Sequence, residues 1–112
     1  MEFLNRSAII FRAKQPYIDW ANSLDDGPKY HETVDEPDAF TVFLGPDVDT
    51  VEEVVAFVDR RFGQFFEYLL NEWCTDPALW PRRRTRAMFR NWFAVDIHTM
   101  VIDTVERPFE LG

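Results

Sequence analysis

Residues 50–74 read TVEEVVAFVDRRFGQFFEYLLNEWC, and this stretch decides the architecture. Thr50 followed three residues later by Glu53 fits a capping box, in which each side chain satisfies an orphan backbone N–H at a helix start. From Val51 through Val54, Val58, Phe62, Phe65, Phe66, Leu69 and Leu70 to Trp73, apolar residues recur at i, i+3, i+4 spacing. That rhythm predicts one amphipathic helix of about six turns, ending at Cys74. Phe57 and Tyr68 widen its apolar arc on one flank, roughly 100–120° from the stripe's centre at ~100° per residue. Ala56 and Gly63 fall together on the opposite flank, where small residues permit close backbone approach. An arc this wide predicts packing against more than one surface.

Working outward, Ser7–Ala13 is a short apolar run that reads as a strand. Pro16 then suits the first turn of a helix whose face is Tyr17, Trp20, Ala21 and Leu24, stopped by Asp25-Asp26-Gly27-Pro28. Residues 39–44 read as a second strand, closed by Gly45-Pro46. After the long helix, Asp76 can cap a short helical turn at Pro77–Trp80 before Pro81 breaks the chain. Residues 85–93 read as a further helix with Met88, Phe89, Trp92 and Phe93 inward. Residues 95–105 have apolar positions that could continue it, yet are rich in Val, Ile and Thr and read as a strand. The result is a single α+β domain over 1–112, order β-α-β-α-α-β: a compact sheet of about three strands with helices on one face.

Bulk properties narrow the function classes. A chain of 112 residues with 46% hydrophobic content, 11 Phe and 4 Trp can bury one core and folds rather than staying disordered. Its formal charge of −8 argues against general affinity for nucleic acid or anionic membrane. One cysteine, Cys74, excludes an intrachain disulfide. With no signal peptide in the N-terminal residues and no apolar run long enough to span a bilayer, the expected location is cytoplasmic. A sheet covered on one face, with this much aromatic surface, predicts a homodimer.

The segments Asn5-Arg6-Ser7-Ala8, Lys14-Gln15-Pro16 with Asp19-Trp20, Trp73-Cys74-Thr75-Asp76, and Trp92-Phe93 with His98 resemble those of a family of short uncharacterised bacterial proteins. The resemblance covers a minority of the chain. It implies a bacterial origin, and no activity or site residue.

Four constellations could carry chemistry. Arg82-Arg83-Arg84-Thr85-Arg86 follows Trp80-Pro81, with Arg90 one turn on; this basic cluster could hold a carboxylate, a phosphate or an acidic protein surface. It could equally pair internally, because residues 19–53 hold eleven acids and a single base. Asp96 and His98, two apart on a strand, share a face with Met100 and Ile102, and a carboxylate can orient an imidazole for general-base work. A metal would need about three ligands, and His31 with Glu32 would have to converge on Asp96 and His98. Cys74 ends a helix, where the dipole disfavours a thiolate, so a buried inert thiol is expected. The acidic run from Asp19 to Glu53 suits a solvated loop, or the carboxylate face of an acidic inhibitor or immunity-type protein.

No glycine-rich phosphate loop, metal motif or cofactor motif is present. The expected function is therefore a small acidic binding protein without catalytic activity. It would use Trp80, Arg82, Arg83, Arg84 and Arg86 to engage a protein partner or an acidic small molecule. The alternatives are a small enzyme at Asp96 and His98, and the inhibitor or immunity-type protein.

Overall fold

The computed structural model describes residues 1–24 and 41–112. Its centre is β2 (Ser7–Ala13), which follows a short strand, β1 (Glu2–Phe3). Flanking β2 are β3 (Val42–Gly45) and β4 (Phe93–His98), giving a three-stranded antiparallel sheet of order β3-β2-β4. Side chains alternate across β2: Ile9 and Phe11 are fully buried, whereas Arg12 is exposed. The register sets Ile9 against both Phe43 and Ile97, and Ala8 against Leu44 and His98. One face therefore carries the large apolar side chains and meets the helices. At the end of this face Gly45 opposes Ser7; a Cβ there would lie 2.5 Å from Ser7 Oγ and 2.8 Å from Ile9 Cδ1, so the close pairing needs glycine.

Helix α1 (Gln15–Ser23) starts with Pro16 in its first turn and buries Tyr17 and Ala21. The Tyr17 hydroxyl donates to the Leu69 carbonyl at 3.0 Å, and Trp73 Nε1 donates to the Ala21 carbonyl at 3.2 Å. These bonds satisfy buried polar atoms and fix α1 against the helix that follows.

The predicted single helix over 50–74 is in fact two: α2 (Val51–Arg60) and α3 (Phe62–Trp73). The expected cap is present, with the Glu53 N–H donating to Thr50 Oγ1 at 3.2 Å. At Arg61 the backbone leaves the helical region (φ −116°, ψ 20°), and its N–H bonds three residues back to Val58 rather than four. One tightened step of this kind rotates the following turns. Gly63 lies just beyond, and glycine holds a helix about 1 kcal/mol less well than alanine. The close backbone approach that Gly63 would permit is not used: apart from its chain neighbours and its own helix backbone, no heavy atom lies within 4 Å of the Cβ position there.

Past α3, a 3-10 turn (Pro77–Leu79) leads to α4 (Arg86–Trp92), capped by Thr85 Oγ1, which accepts from the Met88 N–H at 3.1 Å. The strand expected over 95–105 starts earlier and is interrupted. β4 begins at Phe93 and stops at His98, and β5 (Ile102–Asp103) pairs antiparallel with β1 as a separate two-stranded ribbon. Phe93 belongs to the core face of β4, so the helix expected over 85–93 yields one residue early. The second strand likewise starts at Val42; residues 39 and 40 of the expected strand lie outside the described residues.

Phe11 is the hub of the interior. Its ring lies 5.3–6.3 Å from those of Phe43, Phe65, Phe89 and Phe93, in edge-on or tilted arrangements suited to aromatic quadrupoles. Phe66 joins α3 to α4 through Phe89 and Trp92 at 5.4 and 5.5 Å. The widened arc of the helical pair is used as well: Tyr68 meets Phe43 edge-on at 5.1 Å, and Phe57 lies beneath the Arg61 guanidinium at 4.2 Å.

Candidate functional site: the arginine loop

The chain between α3 and α4 is pinned before it presents its arginines. Asp76 Oδ1 accepts from the Ala78 N–H at 3.0 Å, which starts the 3-10 turn as expected. Trp80 Nε1 donates to the Cys74 carbonyl at 2.8 Å, so the indole folds back under the loop. Trp20 Nε1 reaches the Leu79 carbonyl at 3.0 Å from α1. Three hydrogen bonds within residues 74–80 leave this backbone little freedom.

The five residues singled out in the sequence then divide into two roles. Arg84 is half-buried; it donates to the Pro81 carbonyl at 2.9 Å, pairs with Glu67 of α3 at 2.9 Å, and holds its guanidinium 5.8 Å from the Trp80 ring centroid. Arg84 and Trp80 therefore brace the loop. Arg82, Arg83 and Arg86 are exposed, and no ion pair or hydrogen bond engages their side chains among the described residues. Arg83 has φ of 54°, the one positive value for a non-glycine residue among those described. An arginine pays strain to sit there, and such outliers persist where the surroundings over-determine them. The turn and the first residue of α4 together expose three permanently charged, planar donors beside a hydrogen-bonded base.

Internal pairing of the cluster with the acidic lobe is not what the described residues show. Arg84 takes Glu67 instead, and Arg90 pairs with Asp59 of α2. Asp19 accepts from Gln15 at 2.7 Å. The acids of 25–38, and with them the carboxylate face an inhibitor would need, lie outside the described residues.

Asp96 and His98 do share the outward face of β4. Asp96 is paired with Arg12 on the adjacent strand at 2.9 Å, both about half exposed, and His98 is exposed opposite Ala8. Met100 does not join them, because the strand ends at His98 and Met100 is two-thirds exposed beyond it. His31 and Glu32 lie outside the described residues, and among the rest no three His, Cys, Asp or Glu side chains converge as a metal site. Cys74 caps α3 and is half-buried rather than fully buried, with its Sγ 3.7 Å from the Asp76 carbonyl oxygen. No helix among the described residues is long and apolar enough to cross a membrane.

A second feature was not legible in advance. A cleft of about 690 Å³ opens between the ribbon, the C-terminal segment and β3, lined by Leu4, Arg6, Leu44, Ile102, Phe109 and Leu111 among others. Its only signal in the sequence is the apolar content of both termini, which has no period to read. In comparisons with known proteins, no protein family matches the chain, nor does any curated protein or solved structure.

Proposed function

We propose that this chain is a small, non-catalytic bacterial binding protein of the cytoplasm. It acts as a homodimer and engages an acidic protein segment or an acidic small molecule through Arg82, Arg83 and Arg86. The observation that carries this reading is the division of labour within the loop. In a chain of net charge −8, Arg82 and Arg83 on a turn that Trp80 and Arg84 hold in place, and Arg86 at the start of α4, are exposed and unmatched among the described residues. Guanidinium groups grip carboxylates and phosphates through paired N–H donors, and a pre-organised loop loses less freedom on binding.

Fluorescence anisotropy with a labelled hexaglutamate peptide at low salt, with citrate as competitor, tests it. The wild type is expected to bind, and the triple charge reversal of Arg82, Arg83 and Arg86 to Glu is expected to lose at least tenfold in affinity with an unchanged circular dichroism spectrum. Salt should weaken binding steeply, because exposed charges are screened over ~10 Å at 0.1 M. Equal binding by the triple variant would overturn the reading.

A further inference from the structure

Opposite the helices the outer face of the main sheet is covered only in part among the described residues: Ala8 is buried there and Ile10 half-buried, but the β3 edge is open. Val42 and Leu44 of β3 are each 55% exposed on that side, beside Ala8 and Ile10 of β2. The same surface continues through the cleft, where Leu44 faces Leu4, Ile102, Phe109 and Leu111. Beyond it the β1–β5 ribbon is held by the pairs Glu2↔Asp103 and Phe3↔Ile102, with the Leu4 N–H donating to the Val101 carbonyl. A two-stranded ribbon this short is marginal by itself in water, and Phe3 is 70% exposed upon it.

From this we infer that a second copy of the chain covers the open sheet face and the terminal cleft, through an isologous twofold contact. The inference rests on the homodimer part of the function proposed above and is independent of the arginine loop. Three observations select a second copy as the occupant. The first is area: Phe3, Val42, Leu44, Ile102, Phe109 and Leu111 expose on the order of 100 Å² each, roughly 600 Å² together, which is one partner's share of the smaller specific interfaces. A small apolar ligand would leave most of that in water; Phe109 and Leu111 are 70% and 95% exposed even while lining the cleft.

The second is charge. Two copies at −8 repel overall, which favours a contact where each is locally neutral. On the outer sheet face Asp96 is already matched by Arg12. The third is self-complementarity. The surface carries both an apolar arm, in the C-terminal residues, and an apolar receptacle. Arg6 and Asp103 line the cleft, and Glu110 and Arg107 lie on the arm. About a twofold axis each copy offers the other both members of both pairs, as an isologous interface requires.

Analytical ultracentrifugation of the full chain, from 1 to 200 µM, tests the inference on the wild type, Leu44→Glu, the double variant Phe109→Ala/Leu111→Ala, and the triple reversal at Arg82, Arg83 and Arg86. The wild type is expected at twice 13.3 kDa. Leu44→Glu should sediment as a monomer, the double variant should dissociate at least tenfold more readily, and the arginine variant should remain dimeric. The double variant changes only a segment outside every helix and strand, so it stays informative if Leu44→Glu fails to fold. A monomeric wild type would overturn the dimer itself, including the case where the cleft instead binds laurate in a Leu44-dependent way. A dimer indifferent to both apolar variants would leave the dimer standing and overturn this surface.

Discussion

The two faces of strand β2 differ by one residue in sequence and by an entire environment in space. Ile9 and Phe11 have no meaningful exposure and lie under the helices, with four phenylalanine rings around Phe11. On the opposite face Ile10 is only half-buried, Arg12 is exposed, and the neighbouring Val42 and Leu44 of β3 are more than half exposed. A strand whose outer face is purely solvated alternates apolar with polar residues. Ser-Ala-Ile-Ile-Phe-Arg-Ala instead keeps apolar residues on both faces as far as Ile10. The chain is thus patterned for cover on both faces over that stretch, and the helices among the described residues supply only one.

Phe11→Ala breaks the covered face with the largest expected effect. Removing a fully buried ring that touches four others should cost ~3–5 kcal/mol, a large part of the ~5–15 kcal/mol stability of an ordinary domain. Urea unfolding followed by tryptophan fluorescence measures it, and Phe11→Leu, expected to lose less, serves if the alanine variant does not fold. The sharpening control is Val42→Ala on the open face. At concentrations where the chain is monomeric it should cost under ~1 kcal/mol, since little area leaves the interior. Comparable losses at the two positions would mean that the open face is buried in the monomer after all.

The covered side was also the legible side. Ser7–Ala13 announced itself because a short Ile-rich run bounded by polar residues has few other uses, and the Thr50 and Asp76 caps could be read because a cap is a local bond between near neighbours. The division of the arginines was hidden, since the partner that sets Arg84 apart is Glu67, seventeen positions earlier and brought near only by folding. The ribbon was hidden because strands of two residues have no period. At residue 61 the apolar rhythm runs on without interruption, so a break there leaves the hydrophobic pattern unmarked.

Gly63→Ala probes that break at an intermediate magnitude. Gly63 does not adopt positive φ, and the space its Cβ would enter is open, so alanine should stabilise the chain by ~0.5–1 kcal/mol through helix propensity and a less flexible unfolded state. Thermal unfolding reads this as a rise of a few degrees. A loss of stability would show that the change of direction between α2 and α3 depends on glycine, and that the core around Phe65 and Phe66 requires it.

The smallest expected effect lies on the open face itself, at Asp96→Asn. Its carboxylate meets Arg12 Nε at 2.9 Å, but both side chains are nearly half exposed, so water and salt screen the attraction and each must be held in one rotamer. Exposed pairs of this kind contribute ~0.2–1 kcal/mol, and the lower half of that range is expected here. The more informative readout is association. Asparagine keeps the shape and frees Arg12, placing a net positive charge on a face that the dimer needs locally neutral. Two such faces meeting about a twofold axis would then repel, so dimerisation should weaken by more than folding does, and added salt should recover much of the loss. A salt-independent dimer in Asp96→Asn would place the Arg12–Asp96 pair at the rim of the contact rather than within it.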